Sequence, residues 1–321
     1  MLQGIKNILV GMTEEGTNEP SAALGYALSL AQKAKAHLSV QATSVKISLH
    51  HAVVSDFATN LVAAENRRLQ SLADRVAERS RGEADAAGVT CTVESRQLAY
   101  GDLLEHFLIQ ARVHDLSVLD AEAVTVDVDR GLIESALFES GHPLILVPPS
   151  ARAFSCARIV VAWDGSLQAA RAMTGALPLL RAADKVDLVS VMDEKDLAKR
   201  APGVDAALYL TRHGVNVTET DLPLGPDGVA KTLLRFLERH PADLVVMGAY
   251  KHSLSPVPRP LIAGERRRRR GCAASVLLKI LPRRPAGRPR PHARGPARGS
   301  GLLRTRRFCV SCGCHTFPGT L

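Results

Sequence analysis

Short apolar segments alternate along the chain with longer segments in which apolar residues recur every three or four positions. The short segments are rich in Val, Ile and Leu with weak alternation, which is typical of strands buried on both faces of a parallel sheet. The helical period is clearest around Phe107 and Leu233. Strands joined by helical crossovers of this length indicate a right-handed, doubly wound α/β sheet. The predicted strands are 8–11, 38–42, 89–93, 116–120, 144–147, 159–163, 186–191, 215–220 and 244–248.

The series of elements occurs twice, which indicates an internal repeat. The strand at 8–10 matches 159–161, the helix at 21–34 matches 166–182, and the segment 114–119 matches 242–247. The first copy carries one extra element, a predicted long helix at about 55–86. We therefore predict a first domain at 1–150 and a second, truncated one at 151–253. The paired Pro148 and Pro149 begin the linker between them, because proline cannot continue a sheet ladder.

The charge of the chain is concentrated at its end. The net charge is +9, but from Lys251 onwards 17 Lys and Arg residues stand against the single acid Glu265, so that this part carries +16 and the preceding part −7. The same part holds nine of the 18 prolines and no Asp. Such a composition buries too little apolar surface to offset chain entropy. We predict a disordered, low-complexity basic tail at 254–321.

Three interpretations of this tail remain open. The first is a basic arm that binds nucleic acid through its phosphates. The second is a solvated extension without function, and the third is the product of a reading-frame change. The third is favoured because the tail begins inside a repeat: the second copy has four predicted strands and lacks the fourth helix and fifth strand that the first copy builds from 121–150. The segment 275–281 is the candidate for a substitute fifth strand. The second sheet is therefore predicted to be incomplete.

Several classes of protein are excluded by what the sequence lacks. It has no apolar run of the ~18 residues that a membrane helix needs, and no secretory signal. Cys91 and Cys156 stand alone in the body, which favours the reducing cytoplasm. The phosphate-loop, dinucleotide, zinc-protease and serine-hydrolase motifs are absent. The run from Cys309 to His315 lacks a second pair of ligands at zinc-finger spacing. We predict neither an enzyme nor a metal site.

Several motifs together resemble a known family. They are the strand and Asp-Gly-Ser turn at 159–166, the Asp-Leu-Val-Val-Met-Gly-Ala segment at 243–249, the His-Ser pair at 252–253 and the segment 137–148. In this order, over roughly residues 4–253, they resemble the universal stress protein family in its tandem bacterial form. The resemblance implies two flavodoxin-like (Rossmann-like) sheets in the strand order 3-2-1-4-5. It also implies a cytoplasmic stress-response regulator that senses adenine nucleotide, and a homo-oligomer formed through the fifth-strand edge.

Candidate ligand-binding residues gather where strands one and four of the second copy end, because doubly wound sheets bind ligands at the point where strand order reverses. They are Asp164, Ser166, Gly248, His252 and Ser253, with ATP as the implied cofactor. Asp164 is suited to a ribose hydroxyl or a phosphate-bound cation, and Ser166 to capping a helix. ATP-binding members of the family carry further glycines that approach the phosphates. This chain has Lys251 and Leu261-Ile262 at those positions.

The first copy departs from the pattern earlier. Thr13-Glu14-Glu15 stands in place of Asp164-Gly165-Ser166, and two carboxylates there would repel a triphosphate. After its fourth strand comes Ala121-Glu122-Ala123, without a glycine pair. The first copy is therefore predicted to be a structural partner. Two other functions remain open for the chain: a nucleotide-free scaffold that acts through its pseudo-dimer surface, and a nucleic-acid binder that acts through the tail.

Overall fold

The described part of the chain is built around one ten-stranded sheet. The computed structural model describes residues 2–13, 21–48, 56–121, 128–151, 153–192, 203–249 and 276–279, all within the unit formed by residues 1–283. Its strands are β1 (Asn7–Thr13), β2 (His37–Val45), β3 (Cys91–Leu98), β4 (Leu116–Asp120), β5 (Leu144–Val147), β6 (Arg158–Trp163), β7 (Lys185–Met192), β8 (Val217–Pro223), β9 (Leu244–Gly248) and β10 (Val276–Lys279). Its helices are α1 (Ala22–Ala34), α2 (Asp56–Ala86), α3 (Tyr100–Ala111), α4 (Val128–Glu139), α5 (Leu167–Gly175), α6 (Leu177–Ala182), α7 (Val204–Arg212) and α8 (Val229–Arg239).

The order of the strands confirms the predicted α/β fold. It is β3-β2-β1-β4-β5-β10-β9-β6-β7-β8. Each repeat therefore has the strand order 3-2-1-4-5, and the order of the second repeat runs in the opposite direction along the sheet. Alternate strand residues pack on opposite faces of the sheet: Val161 belongs to the core cluster that includes residues of α1, α2, α5, α6 and α7, whereas Val160 packs with α8. On that second face, α3 and α4 cover the first repeat. The crossovers on either side of the first strand therefore lie on opposite faces, as in a doubly wound sheet.

The fifth position of the second repeat is filled by β10, within the predicted segment 275–281. β10 pairs in parallel with β5, where Leu278 lies opposite Ile145, and antiparallel with β9, where it lies opposite Val246. In the first repeat, β5 instead runs parallel to β4 after the crossover helix α4. The second half of the sheet thus has no parallel fifth strand among the described residues, and the two halves join through a strand of reversed direction. The reading-frame interpretation stays a hypothesis.

Two predicted strands begin two residues later than expected, for the same reason in both repeats. Gly88 and Gly214 have φ of +64° and +78°, in the left-handed region that favours glycine. The amide nitrogen of Val89 then donates to the carbonyl oxygen of Ala84 at 3.0 Å, and Val215 closes the equivalent helix end at 3.1 Å. These amides complete helix caps and are not available to the sheet.

Two helix predictions need correction. The helix predicted at 166–182 is divided into α5 and α6, because Pro178 lacks the N–H that would continue the ladder of α5. The long helix predicted at 55–86 is confirmed as α2, but it is not an extra element, since α7 occupies the same place in the second repeat. α2 has 31 residues and α7 has nine. None of the described helices is long and apolar enough to cross a membrane.

The linker between the repeats packs on α1. The ring of Phe154 meets the ring of Tyr26 edge to face, with centroids 5.5 Å apart. Lys33 lies over the same ring, and its Nζ donates to the Phe154 carbonyl oxygen at 2.8 Å. Met173 of α5 belongs to the same core cluster as Leu2, so one core extends through both repeats. The domain boundaries at 150 and 253 stay predictions.

Candidate functional site

The predicted site lies where β6 and β9 end side by side. The two strands are parallel neighbours, with Val161 opposite Val246. The turn Asp164-Gly165-Ser166 follows β6 and leads into α5, and Gly248 is the last residue of β9. β7 lies on the other side of β6, so this is the point at which the strand order of the second repeat reverses.

The turn after β6 is held by its own side chains. Oδ1 of Asp164 accepts a hydrogen bond from the Ser166 amide at 2.9 Å, and Gly165 between them has a φ of +73°. Oγ of Ser166 accepts from the Ala169 amide at 3.1 Å and so caps α5. In the described part of the chain no acceptor faces the two intervening amides, Leu167 and Gln168, which point out of the first turn of the helix. The turn therefore presents an exposed carboxylate beside available backbone donors.

Gly248 has no room for a side chain. A Cβ at this position would lie 2.7 Å from the amide nitrogen of Ala169 and 2.7 Å from the carbonyl carbon of Gln168. Both atoms belong to the backbone of α5, which cannot move aside as a flexible side chain does. The glycine thus allows the end of β9 to touch the first turn of α5. The sequence predicts that this glycine lets the backbone approach a phosphate. The structure shows that close packing against α5 also requires a glycine here.

The first repeat closes the equivalent place with a carboxylate. Asp120 ends β4 as Gly248 ends β9. Its Oδ2 accepts a hydrogen bond from the Ser21 hydroxyl at 2.7 Å, and its Oδ1 accepts from the Ala23 amide at 2.9 Å. Oγ of Ser21 also accepts from the Leu24 amide at 3.2 Å, which caps α1. The chain's own anion therefore occupies the positive end of the α1 dipole.

Sequence comparison could have found Asp120. The matched segments 114–119 and 242–247 stop one position before Asp120 and Gly248. Extending the match by one residue places a carboxylate in one repeat opposite a glycine in the other. The Asp residues within the matched segments have a shared structural role. Asp115 accepts from the Asn7 amide at 2.8 Å, and Asp243 accepts from the Arg158 amide at 3.1 Å, so each anchors the start of its repeat's first strand.

Three of the five predicted site residues come together in the structure: Asp164, Ser166 and Gly248. His252 and Ser253 lie outside the described residues, as do Lys251 and the pair Leu261-Ile262. In the first repeat, Glu14 and Glu15 also lie outside them. Among the described residues, no group of three or more His, Cys, Asp or Glu side chains is arranged to hold a metal ion.

Burial suppresses the reactivity of the two described cysteines. Burial raises the pKa of the Cys156 thiol, and nearby Asp243 adds to the effect. Burial likewise raises the pKa of Cys91, with a further contribution from Asp85. Since the thiolate is the nucleophilic form, both side chains stay protonated at neutral pH. Neither has the environment of a nucleophile.

Comparison with solved structures places this architecture among universal stress proteins. A universal stress protein from Archaeoglobus fulgidus aligns with a TM-score of 0.54 at 13% sequence identity, over 85% of this chain and 95% of that one. A protein of the same family from Burkholderia pseudomallei shares 30% identity over 32% of this chain and 86% of its own length, with a TM-score of 0.25. The chain has the fold of universal stress proteins. No protein-family model matches the sequence, and no curated protein is significantly similar to it.

Proposed function

We propose that this protein is a stress-response regulator that senses adenine nucleotide through its second repeat. The observation that carries the proposal is the difference between the two repeats at one position. Asp120 fills the helix terminus of the first repeat, whereas Gly248 leaves the amides of α5 facing outward beside Asp164. The universal stress protein fold supports the stress-related part of the proposal.

The residues at this site suit the two ends of a nucleotide. The amides of Leu167 and Gln168, at the positive end of α5, would attract phosphate oxygens. Asp164 would accept a hydrogen bond from a ribose hydroxyl or bind a cation coordinated by the phosphates. In doing so it would give up the hydrogen bond that it now accepts from the Ser166 amide. The contact between Gly248 and α5 keeps the strand end from blocking these amides. Bound ATP would supply the regulatory signal through its phosphates.

Regulation is proposed rather than catalysis. Burial keeps the thiols of Cys91 and Cys156 protonated. Asp164 and Ser166 are engaged in forming the turn and the cap. The cytoplasm remains the proposed compartment. Assembly of two chains through the fifth-strand edge also stays a proposal, although in this structure β10 lies on the outer edge of β5.

Titration calorimetry with MgATP tests the proposal on the full chain. We expect saturable binding, which Asp164→Asn weakens by about tenfold or more, since losing one charged hydrogen bond costs at least about 1.5 kcal/mol. Asp102→Asn is the matched control, because Asp102 is an exposed acid in the first turn of α3 in the first repeat. This variant should bind MgATP as the wild type does.

The alternative functions predict different results. If the wild type shows a folded circular dichroism spectrum and no heat with MgATP, the nucleotide proposal fails and the scaffold function takes its place. Nucleic-acid binding through the tail is tested by removing residues 284–321, which leaves β10 and the unit of residues 1–283 intact. An unchanged affinity for DNA and RNA would rule out that part of the tail as a binding arm.

A further inference from the structure

A cavity lies on the opposite face of the sheet from α5. It is a groove of about 420 Å³ between the edge strand β8, its neighbour β7 and the helix α8, here named the β8–α8 groove. Small-molecule sites span roughly 300–1,000 Å³. Residues Thr232, Arg235, Phe236 and Arg239 of α8 line it, because their spacing of three and four places them on one side of the helix.

Cations outnumber carboxylates around this groove. Asp187 is buried and accepts from Arg158 Nη2 at 3.0 Å and from Lys185 Nζ at 2.9 Å, so one carboxylate serves two cations. Arg235 pairs with Asp227. Within the described residues, Arg239 has no carboxylate partner. The groove therefore has unbalanced positive charge, most directly at Arg239.

The groove also has an apolar part. Leu222 of β8 and Phe236 of α8 line it. The Phe236 ring stacks on the His240 ring with centroids 4.4 Å apart and planes 20° apart, which fixes the position of both rings. The hydroxyl of Thr232 is already engaged, since it accepts from the Gly225 amide at 3.0 Å. The groove thus combines apolar side chains, one of them fixed by stacking, with the guanidinium of Arg239.

The first repeat bridges the equivalent place with a contact between a carboxylate and an imidazole. Leu38 pairs with Cys91 where Val186 pairs with Val217, so Glu94 of β3 corresponds to Thr220 of β8. Oε2 of Glu94 lies 2.8 Å from Nε2 of His106 on α3, and Glu94 also pairs with Arg96. A carboxylate therefore bridges edge strand and helix in the first repeat. In the second repeat Thr220 stands at this position, and its side chain has no carboxylate to form the bridge.

We propose that the β8–α8 groove binds a small organic anion, with its carboxylate or phosphate group at Arg239 and its apolar part against Phe236 and Leu222. This site is separate from the nucleotide site. α5 packs in the core cluster on one face of the sheet, whereas Phe236 packs with Val160 on the other. It goes beyond the proposed function and does not depend on it.

Titration calorimetry of the full chain with phenyl phosphate tests the proposal, with inorganic phosphate and phenol as the two half-ligands. Phenyl phosphate should bind more tightly than either. Arg239→Gln should weaken it by about tenfold, the value of one charge-assisted contact. Thr220→Glu should weaken it similarly, because it gives the groove the carboxylate of the first repeat. Arg212→Gln is the matched control, since Arg212 is the basic residue in the last turn of α7.

Three results would overturn the proposal. The first is phenyl phosphate binding no tighter than inorganic phosphate. The second is wild-type affinity in Arg239→Gln, with circular dichroism showing that the variant is folded. The third is an equal loss in Arg212→Gln. Competition with MgATP separates the two sites: if saturating MgATP displaces phenyl phosphate while Arg239→Gln still binds it, the probe binds at the nucleotide site and the groove proposal fails.

Discussion

The two repeats build the same helix start from different residues at one position. In the first, the Asp120 carboxylate takes hydrogen bonds from the Ser21 hydroxyl and the Ala23 amide, so the end of α1 is neutralised from within. In the second, Gly248 lets α5 touch the end of β9 and provides no anion. The residue at the strand end thus decides whether the positive end of the helix dipole meets a carboxylate from the neighbouring strand.

The largest effect on stability is expected from removing the Asp120 carboxylate of the first repeat. Asp120→Ala deletes two hydrogen bonds to a charged acceptor, which we expect to cost about 2–3 kcal/mol of the free energy of unfolding. For a protein of this size the melting temperature should fall by about 5–8 °C. Differential scanning calorimetry measures the change. Asp102→Ala, at the exposed start of α3, should shift it by under about 2 °C. Equal shifts in both variants would mean that Asp120 has no special role.

A somewhat smaller effect is expected at the corresponding position of the second repeat. Gly248→Ala introduces a Cβ against the α5 backbone, and such overpacking costs about 1–3 kcal/mol. Gly101→Ala is the control. A Cβ at Gly101, in α3, meets nothing within 4 Å. Replacing a helical glycine by alanine should raise stability by about 0.5–1 kcal/mol. Calorimetric melting of both variants should therefore give shifts of opposite sign, and a stabilising Gly248→Ala would contradict the close contact.

The smallest effects are expected from two glutamates on the edge strands. Burial acts to raise the pKa of Glu94, but His106 and Arg96 outweigh it and hold this pKa below its ordinary value of 4.5. Burial, together with Asp221, raises the pKa of Glu219 above its ordinary value. The ionised Glu94 therefore stabilises the fold above about pH 4.5 and loses this contribution as the pH falls. The ionised Glu219 is instead unfavourable at neutral pH.

Substitution by glutamine should reveal these opposite signs. At pH 7, Glu94→Gln should lower the melting temperature by about 1–2 °C and Glu219→Gln should raise it by a similar amount or less. Both differences should shrink as the pH falls below about 4, where the carboxyl groups become protonated in the folded and unfolded states. Melting curves from pH 3 to pH 8 measure them. Shifts of the same sign would contradict the pKa directions.

Much of the fold could be predicted because it depends on local patterns. Apolar runs such as 144–147 and 244–248 coincide with β5 and β9, and the repeat implied the strand order that the structure has. The break at Pro178 is also visible in the sequence, because proline has no N–H. Local chemistry was sufficient for these elements.

The remaining features depend on contacts between distant residues. The role of Asp120 requires the end of β4 to meet the start of α1, some 99 positions away along the chain. The direction of β10 depends on β5 and β9 together, and no periodicity within four residues encodes it. The β8–α8 groove has Thr220 where the first repeat has Glu94, and the consequence of this difference depends on the helix packed opposite. Sequence spacing alone does not report such pairings.

The most direct test of the difference between the repeats is hydrogen–deuterium exchange of the full chain with and without saturating MgATP. Peptides that cover residues 164–175 should exchange more slowly when the nucleotide is bound, because the amides of Leu167 and Gln168 would then donate hydrogen bonds to phosphate oxygens. Peptides that cover residues 21–34 should be unchanged, since Asp120 already occupies the end of α1. Protection of α1 with none at α5 would contradict the assignment of the site to the second repeat.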